Sequence, residues 1–326
     1  MAAPAKPPEI GGRSALGEAY LAGRLAQAPL RGDFRLSRRE DVRGVEEIRG
    51  PELRAAIDRG LAALRDGSVA FGILAAGAST RMDLTAMPGA ARRLLERAGR
   101  REIRSKALVP VVEHGGVVLT FLDLFLVNVE RFSSETASRC PMLALVSETN
   151  AEEIEAYIRA AGRIAPERVV TFRQTLDRQI IATAADVERA RKNFASAADV
   201  ESALELSRAY AGFDLDVPKP AGHGEFLHQL ISSGTLGGLL ERGIRFVSLR
   251  NIDNIGAVLD ESWLAILGRL IESGESFVVE VSRRPDGPAG KGGALIVRPN
   301  GEFQLAEDPS FAGTGRDPRD SYYINN

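Results

Sequence analysis

From Val69 onward, short apolar runs alternate with stretches patterned as helices. Val69–Leu74, Ala107–Val112, Met142–Val146, Val169–Phe172, Gln179–Ala182 and Ile244–Leu249 read as strands. Runs such as Val69–Leu74 and Met142–Val146 are apolar throughout, the pattern of a strand covered on both faces. Helices are expected over Val117–Phe132, after a cap at Asn150, across much of 184–209, and in the segment that Gly243 ends. Such alternation over residues 69–250 predicts a largely parallel, doubly wound α/β sheet. Further on, Asp260 or Ser262 starts a helix running to Ile271, and Phe277–Val281 and Ala294–Val297 are strands. Pro299–Glu302 turns one strand back on its neighbour, so antiparallel additions to the sheet are expected.

The region before Val69 has a different character. Residues 1–12 are rich in proline and glycine and read as a loose tail. Leu16, Tyr20, Leu21 and Leu25, and then Leu53, Ile57, Leu61 and Leu64, recur at helical spacing. The expected organisation is a helical N-terminal extension over 1–66 followed by one α/β domain over 67–326. A length of 326 residues with 44% hydrophobic content is enough for a substantial core. The formal net charge of −2 gives no electrostatic case for a nucleic-acid partner. No stretch has signal-peptide character. The most apolar run, Val117–Val129, is broken by Asp123 and Asn128 and falls short of the roughly 20 residues of a membrane helix. The single cysteine, Cys140, has no intrachain partner, which suits a reducing compartment, so a cytoplasmic location is expected.

Polar residues gather where the strands end. Leu74-Ala-Ala-Gly-Ala-Ser-Thr-Arg-Met82 follows an apolar strand. The Ala78, Ser79 and Thr80 amides can form an anion nest there, and Arg81 adds a full charge. Gly77 lets the backbone approach a ligand. An ordinary strand-to-helix turn is the rival reading, since the glycine spacing is neither that of a Walker loop nor that of a dinucleotide fingerprint. Lys106 precedes a predicted strand and can reach the same phosphates as a point charge, though most lysines are merely solvated. The Arg-rich stretch 91–104 between them reads as a helix with a solvated face. Pro220-Ala-Gly-His-Gly-Glu-Phe226 holds His223 between Gly222 and Gly224 at the start of a helix. Asn251-Ile-Asp-Asn254 follows an apolar strand at its carboxyl end, where open α/β sheets place ligands. Asp253 suits a hard cation and Asn251 a sugar hydroxyl, with a capped turn as the bland alternative. Lys291-Gly-Gly293 is a substrate loop or a mobile hairpin. Glu280 and Gln174 stand near strand ends, where most such residues are surface groups.

In their order along the chain these motifs resemble the UDP-sugar pyrophosphorylase family. There a glycine-rich loop ending in Thr-Arg-Met precedes a lysine, then Pro-Pro-Gly-His-Gly-Asp, Asn-Ile-Asp-Asn, Lys-Gly-Gly and a final Asn-Thr-Asn-Asn. The resemblance covers residues 69–326 and implies a Rossmann-like nucleotidyltransferase core of the glycosyltransferase-A type. It implies a Mg²⁺-assisted uridylyltransferase that joins UTP to a hexose 1-phosphate, glucose 1-phosphate foremost, giving UDP-glucose and pyrophosphate. By position, Ala76, Gly77, Thr80 and Arg81 belong to the triphosphate loop, and Lys106 stabilises charge there. Gln174 and Gly222 contact uracil. His223 sits at the sugar phosphate or the α-phosphate. Asn251 faces the sugar, Asp253 holds the metal, and Glu280, Gly293 and Asn325 complete the sugar pocket.

The departures are as informative. Ala221 and Glu225 replace a proline and an aspartate, and the spacing from Arg81 to Lys106 is long. The family continues past its Asn-Asn segment into a further lysine and a C-terminal domain, while this sequence stops at Asn326. Rival readings are a uridylyltransferase for another sugar, a noncatalytic nucleotide-sugar binder, and a dinucleotide oxidoreductase. Absence of Gly-x-Gly-x-x-Gly speaks against the last.

Overall fold

The computed structural model describes residues 30, 32–77, 89–98, 105–178, 184–191, 200–201, 204, 218–220, 222–283, 293–311 and 314–324. In chain order the elements begin with β1 (Arg35–Leu36), α1 (Gly50–Arg65), β2 (Val69–Leu74), α2 (Gly89–Arg97), β3 (Pro110–His114), β4 (Val117–Thr120) and α3 (Phe121–Thr136). They continue with β5 (Met142–Ser147), α4 (Ala151–Ala161), β6 (Val169–Gln174), β7 (Leu176–Arg178), α5 (Ala184–Ala190) and β8 (Pro218–Pro220). The last are α6 (Glu225–Ser232), α7 (Thr235–Glu241), β9 (Phe246–Asn251), α8 (Glu261–Ser273), β10 (Ser282–Arg283), β11 (Gly293–Val297), β12 (Phe303–Ala306) and β13 (Tyr322–Ile324). Contacts divide the chain into two units, one drawn from Arg43–Asp177 and Lys219–Val278, the other from Met1–Val42, Arg178–Pro218 and Val279–Asn326.

The larger unit is built on a parallel sheet in the order β6-β5-β2-β9. By rank along the chain this is 3-2-1-4, so successive strands step outward from β2 on one side, and the fourth lands on its other side. Side-chain alternation assigns the two faces. Val69, Phe71 and Ile73 of β2 and Met142, Ala144 and Val146 of β5 enter one core with residues of α1, α3, α4 and α8. Ala70, Leu143 and Leu145 enter a second core with Phe172 and residues of α6 and α7. Full burial on both faces is what an apolar run without polar alternation requires. Phe71, Phe132 and Trp263 cluster in the first core, with ring centroids 5.5, 5.6 and 6.4 Å apart. The Trp263 indole N–H donates to Ser248 Oγ at 3.1 Å, which satisfies the ring's polar end.

Local chemistry sets the element ends. Thr120 and Asp123 form a reciprocal capping box on α3, with bonds of 3.1 and 2.8 Å. Asp260 caps α8 through the Trp263 amide at 3.0 Å, as its sequence position predicts. The helical spacing at Leu53–Leu64 is realised in α1, whereas residues 35–47 form β1 and two 3₁₀ turns. The Leu16–Leu25 pattern lies outside the described residues.

Several expectations need correction. Ala107 and Leu108 lie in a 3₁₀ turn, and the strand begins only at Pro110. The helix expected from Val117 starts at Phe121, because Val117–Thr120 instead pairs back on β3 as a hairpin. Gly115 and Gly116 make that turn possible with φ of 58° and 79°, the conformation a two-residue hairpin demands. Asn150 precedes α4 but does not cap it with its side chain. Phe277–Val281 forms no strand, and Phe277 is 79% exposed. Apolar β-formers need a ladder partner, and here pairing begins only at Ser282, opposite Tyr323. The Gln179–Ala182 expectation falls on residues outside the described ones, beyond β7.

The second unit has its own antiparallel sheet, in which β11 pairs with β1, β12 and β13, and β13 with β10. The Pro299–Glu302 turn joins β11 to β12 as expected. Among the described residues these strands form a separate sheet and do not extend the parallel one. Ala294, Ile296, Ala306 and Phe311 form its small core with Leu30, Phe34 and Leu36. The fold is thus mixed α/β with parallel and antiparallel sheets. No helix among the described residues is long and apolar enough to cross a membrane.

Candidate functional site

The polar groups of the larger unit gather beyond the carboxyl ends of its parallel strands. Leu74 pairs with Asn251, and Ser147 with Gln174, so the ends of β2 and β9, and of β5 and β6, are level. The strand order reverses between β2, whose onward connection runs to β5 on one side, and β9, which is reached from β6 and lies on the other side; such a switch point is where open α/β sheets place a ligand crevice. Ala75 and Ala76 continue β2 in full burial, followed by Gly77.

Lys106 is fixed at this crevice through its backbone. Its N–H donates to the Gly77 carbonyl at 3.2 Å. Ser105, fully buried, caps the 3₁₀ turn by accepting the Ala107 amide at 3.3 Å. From there the Lys106 ammonium pairs with Asp253, in the turn that follows β9. Both side chains remain partly open, at 43% and 34% exposure, so each can exchange its partner for a ligand without unfolding anything. Buried Ile252 anchors the same turn in the core, and the Asn254 amide bonds the Asn251 carbonyl at 3.1 Å.

His223 stands on the turn that opens α6. Gly222 has φ of 126°, which a residue with a Cβ rarely adopts. Behind His223, Phe226 packs on Phe172 with ring centroids 5.3 Å apart. Gln174, almost fully buried at the end of β6, donates its side-chain amide to the Gly222 carbonyl. The Glu225 carboxylate accepts from the Thr175 amide and hydroxyl at 2.9 and 2.5 Å, and the hydroxyl bond leads in lowering its pKa. The turn is therefore strapped to the end of β6 from two sides.

The surrounding protein desolvates the His223 ring, although it keeps a solvent-exposed side, and this lowers its pKa. Positive charge on Lys106 lowers it further, while Asp253 opposes the shift. Neutral imidazole is therefore favoured near pH 7, with one ring nitrogen free to accept a proton. An NMR titration should place the His223 midpoint below the usual 6.5. Lys106→Met should raise that midpoint and Asp253→Asn should lower it; opposite movements would mean that the three groups do not share a field.

Asn251 contributes a different signal. Its Oδ1 is buried and has no hydrogen-bond partner among the described residues. Leaving a buried acceptor unpaired costs about 1–3 kcal/mol, so the position suits a donor supplied from outside, such as a hydroxyl. Arg250 beside it turns toward α3, over the Phe125 ring at 4.5 Å. Burial lowers its pKa to about 10, which still leaves it charged.

Among the sequence-predicted residues, Ala76, Gly77, Lys106, Gln174, Gly222, His223, Asn251 and Asp253 all fall in this unit, around the carboxyl ends of the sheet or the α6 turn. Glu280, exposed in an irregular stretch, and Gly293, the buried first residue of β11, belong to the other unit. Thr80, Arg81 and Asn325 lie outside the described residues. Ser105 and Arg250 carry no expectation from the sequence, and Asn150 is expected only as a helix cap. A cap position before a helix does not reveal which distant groups the Asn150 side chain joins.

Residues 104–312 match the family model described as UTP–glucose-1-phosphate uridylyltransferase. A UTP–glucose-1-phosphate uridylyltransferase of Astragalus penduliflorus is 28% identical over 189 residues, covering 58% of this chain and 35% of that protein. The chain spans about a third of the length of the curated relatives it matches. The uridine diphosphate N-acetylglucosamine pyrophosphorylase of Trypanosoma brucei is structurally similar, with a TM-score of 0.55 at 18% identity over 96% of this chain and 56% of that one. The UDP-glucose pyrophosphorylase of Leishmania major gives a TM-score of 0.53 at 17% identity, over 95% and 57% of the two chains. At these identities the structural likeness concerns the fold alone.

Proposed function

Because this chain belongs to the UTP–glucose-1-phosphate uridylyltransferase family, we propose that it is a nucleotidyltransferase that joins UTP to a hexose 1-phosphate, with glucose 1-phosphate as the preferred partner. On this reading the parallel sheet is a Rossmann-like nucleotidyltransferase core. The observation that carries the proposal is the Lys106–Asp253 pair beyond the ends of β2 and β9, with His223 near enough for both charges to act on its pKa.

A phosphate oxygen of the sugar phosphate attacks the α-phosphorus of UTP. The new O–P bond forms as the bond from that phosphorus to the bridging oxygen breaks, and pyrophosphate leaves with the electron pair. No covalent enzyme intermediate is required, so the protein acts by positioning and charge stabilisation. Lys106, and Arg81 in the sequence after β2, offset charge on the departing phosphates. The Ala76–Gly77 backbone at the end of β2 is assigned to the triphosphate, with Thr80 further along the sequence. His223, neutral and hydrogen-bonding, orients the sugar phosphate or the α-phosphate. Gln174 keeps its Oε1 for a uracil N–H while its amide holds Gly222. Asn251 accepts a sugar hydroxyl.

Asp253 offers one hard oxygen ligand, and no group of three or more His, Cys, Asp or Glu among the described residues could hold a metal. This donor set fits Mg²⁺ that arrives with the triphosphate, since such ions take one or two carboxylates and complete their shell with phosphate and water. Bound there, the ion supplies charge neutralisation on the phosphate oxygens, and Asp253 would exchange Lys106 for it.

Pyrophosphate release from UTP, glucose 1-phosphate and Mg²⁺ is the deciding measurement, with UDP-glucose binding followed by calorimetry. Turnover supports the proposal, and turnover with another hexose 1-phosphate moves the sugar preference. Binding without turnover favours a noncatalytic nucleotide-sugar binder, and the absence of both turnover and binding overturns the reading. Asn251→Ala should weaken UDP-glucose about threefold to tenfold, the range of one hydrogen bond, while leaving UTP affinity unchanged. An equal loss for both ligands would remove Asn251 from the sugar site.

A further inference from the structure

We propose that Asn150 is a positioning residue that sets where Lys106 stands. The kinetic arm of this inference rests on the nucleotidyltransferase reading, while the structural arm does not. Asn150 is 1% exposed, and both ends of its side-chain amide are engaged. Its Oδ1 accepts the Ser147 amide at 2.8 Å, which holds the end of β5. Its Nδ2 donates to the Ala75 carbonyl at 2.9 Å, which holds the chain leaving β2, and to Ser105 Oγ at 3.2 Å. Ser105 in turn caps the 3₁₀ turn that begins with Lys106. The Lys106 amide binds Gly77, two residues beyond Ala75.

Asn150 thus ties together the ends of two parallel strands and the turn that carries the cation. A simpler local role is available to this residue, since it directly precedes α4, yet it makes no side-chain cap there. The amide instead spans 75 residues to Ala75 and 45 to Ser105. Neither aspartate nor leucine can reproduce one acceptor together with two donated bonds at that spot. A long, flexible lysine profits from such bracing. With its Cα fixed against the sheet, fewer side-chain placements remain, and those reach Asp253 or a phosphate in the same crevice.

The test uses Asn150→Ser and Ser105→Ala. Ser105→Ala removes the arm toward the turn, together with the cap that arm holds on the Ala107 amide, and leaves the ties to Ser147 and Ala75, so it carries the test if Asn150→Ser fails to fold. Each variant should lower kcat by about tenfold to a hundredfold, the scale of a displacement near 1 Å, with little change in KM. In a Lys106→Ala background neither should lower kcat further, because the group being positioned is gone. Additive losses, or a loss confined to KM, overturn the proposal. Hydrogen exchange gives the structural arm: the Lys106 and Leu108 amides should exchange faster in both variants, while Leu143–Val146 keep their protection. Unchanged exchange at Lys106 and Leu108 also overturns it. If the unaltered chain releases no pyrophosphate, the functional reading fails alone, and exchange still decides the role of Asn150.

Discussion

On the proposed nucleotidyl transfer, Lys106→Ala should lower pyrophosphate release by about a hundredfold to a thousandfold, a loss typical of removing one charge-stabilising group from a transition state. Two unit charges about 4 Å apart interact by about 4 kcal/mol at an effective dielectric constant of about 20. Each ~1.4 kcal/mol lost from transition-state stabilisation is tenfold in rate. Binding of UTP should weaken less than turnover, because charge shifts toward the leaving pyrophosphate only as the bond breaks. Stability should hardly move. The Lys106–Asp253 pair is partly exposed, and such pairs contribute about 0–1 kcal/mol. A variant that melts with the parent but has lost turnover therefore separates chemistry from folding. Turnover at the parental rate would remove Lys106 from the mechanism.

Gly268→Ala should give the largest loss of stability, about 2 kcal/mol or more, at the crossing of α1 and α8. A Cβ at Gly268 would sit 1.8 Å from the Ala56 carbonyl oxygen and 2.6 Å from its carbon. One at Gly60, on the facing helix, would sit 2.3 Å from the Leu264 carbonyl oxygen. These neighbours are backbone atoms and cannot rotate away, so the helices must separate and Ala56, Leu264 and Leu267 must repack. Alanine improves helix propensity by about 1 kcal/mol, which offsets only part of the clash. The melting temperature should fall by about 4–8 °C for a domain of this size. Trp263, the single tryptophan, lies on α8 against Phe71 and Phe132 and reports the change by fluorescence. Gly237→Ala is the control: it lies exposed in α7 with nothing within 4 Å of the new Cβ, and it should be neutral or slightly stabilising. Equal melting of Gly268→Ala and the parent would mean that the two helices do not pack as closely as described.

Much of the scaffold was legible because it depends on local pattern. Val69–Leu74 and Met142–Val146 declare strands buried on both faces, since no polar alternation leaves a side for water. Asp260 and Gly243 mark a helix start and a helix end through hydrogen bonds made within one turn. The sequence by itself also placed Lys106, His223 and Asp253 at strand or helix ends, because glycine, asparagine and aspartate gather there for backbone reasons. Tertiary structure decided the rest. Val117–Thr120 became a strand only because β3 lies opposite across a glycine turn, and Phe277–Val281 stayed irregular where no partner strand was met. Period and propensity describe one segment, whereas a ladder needs two. Asn150 looks in sequence like a helix cap, yet its amide joins Ser147, Ala75 and Ser105. Those groups come together only when β2 and β5 pair in register, and no spacing along the chain encodes that meeting.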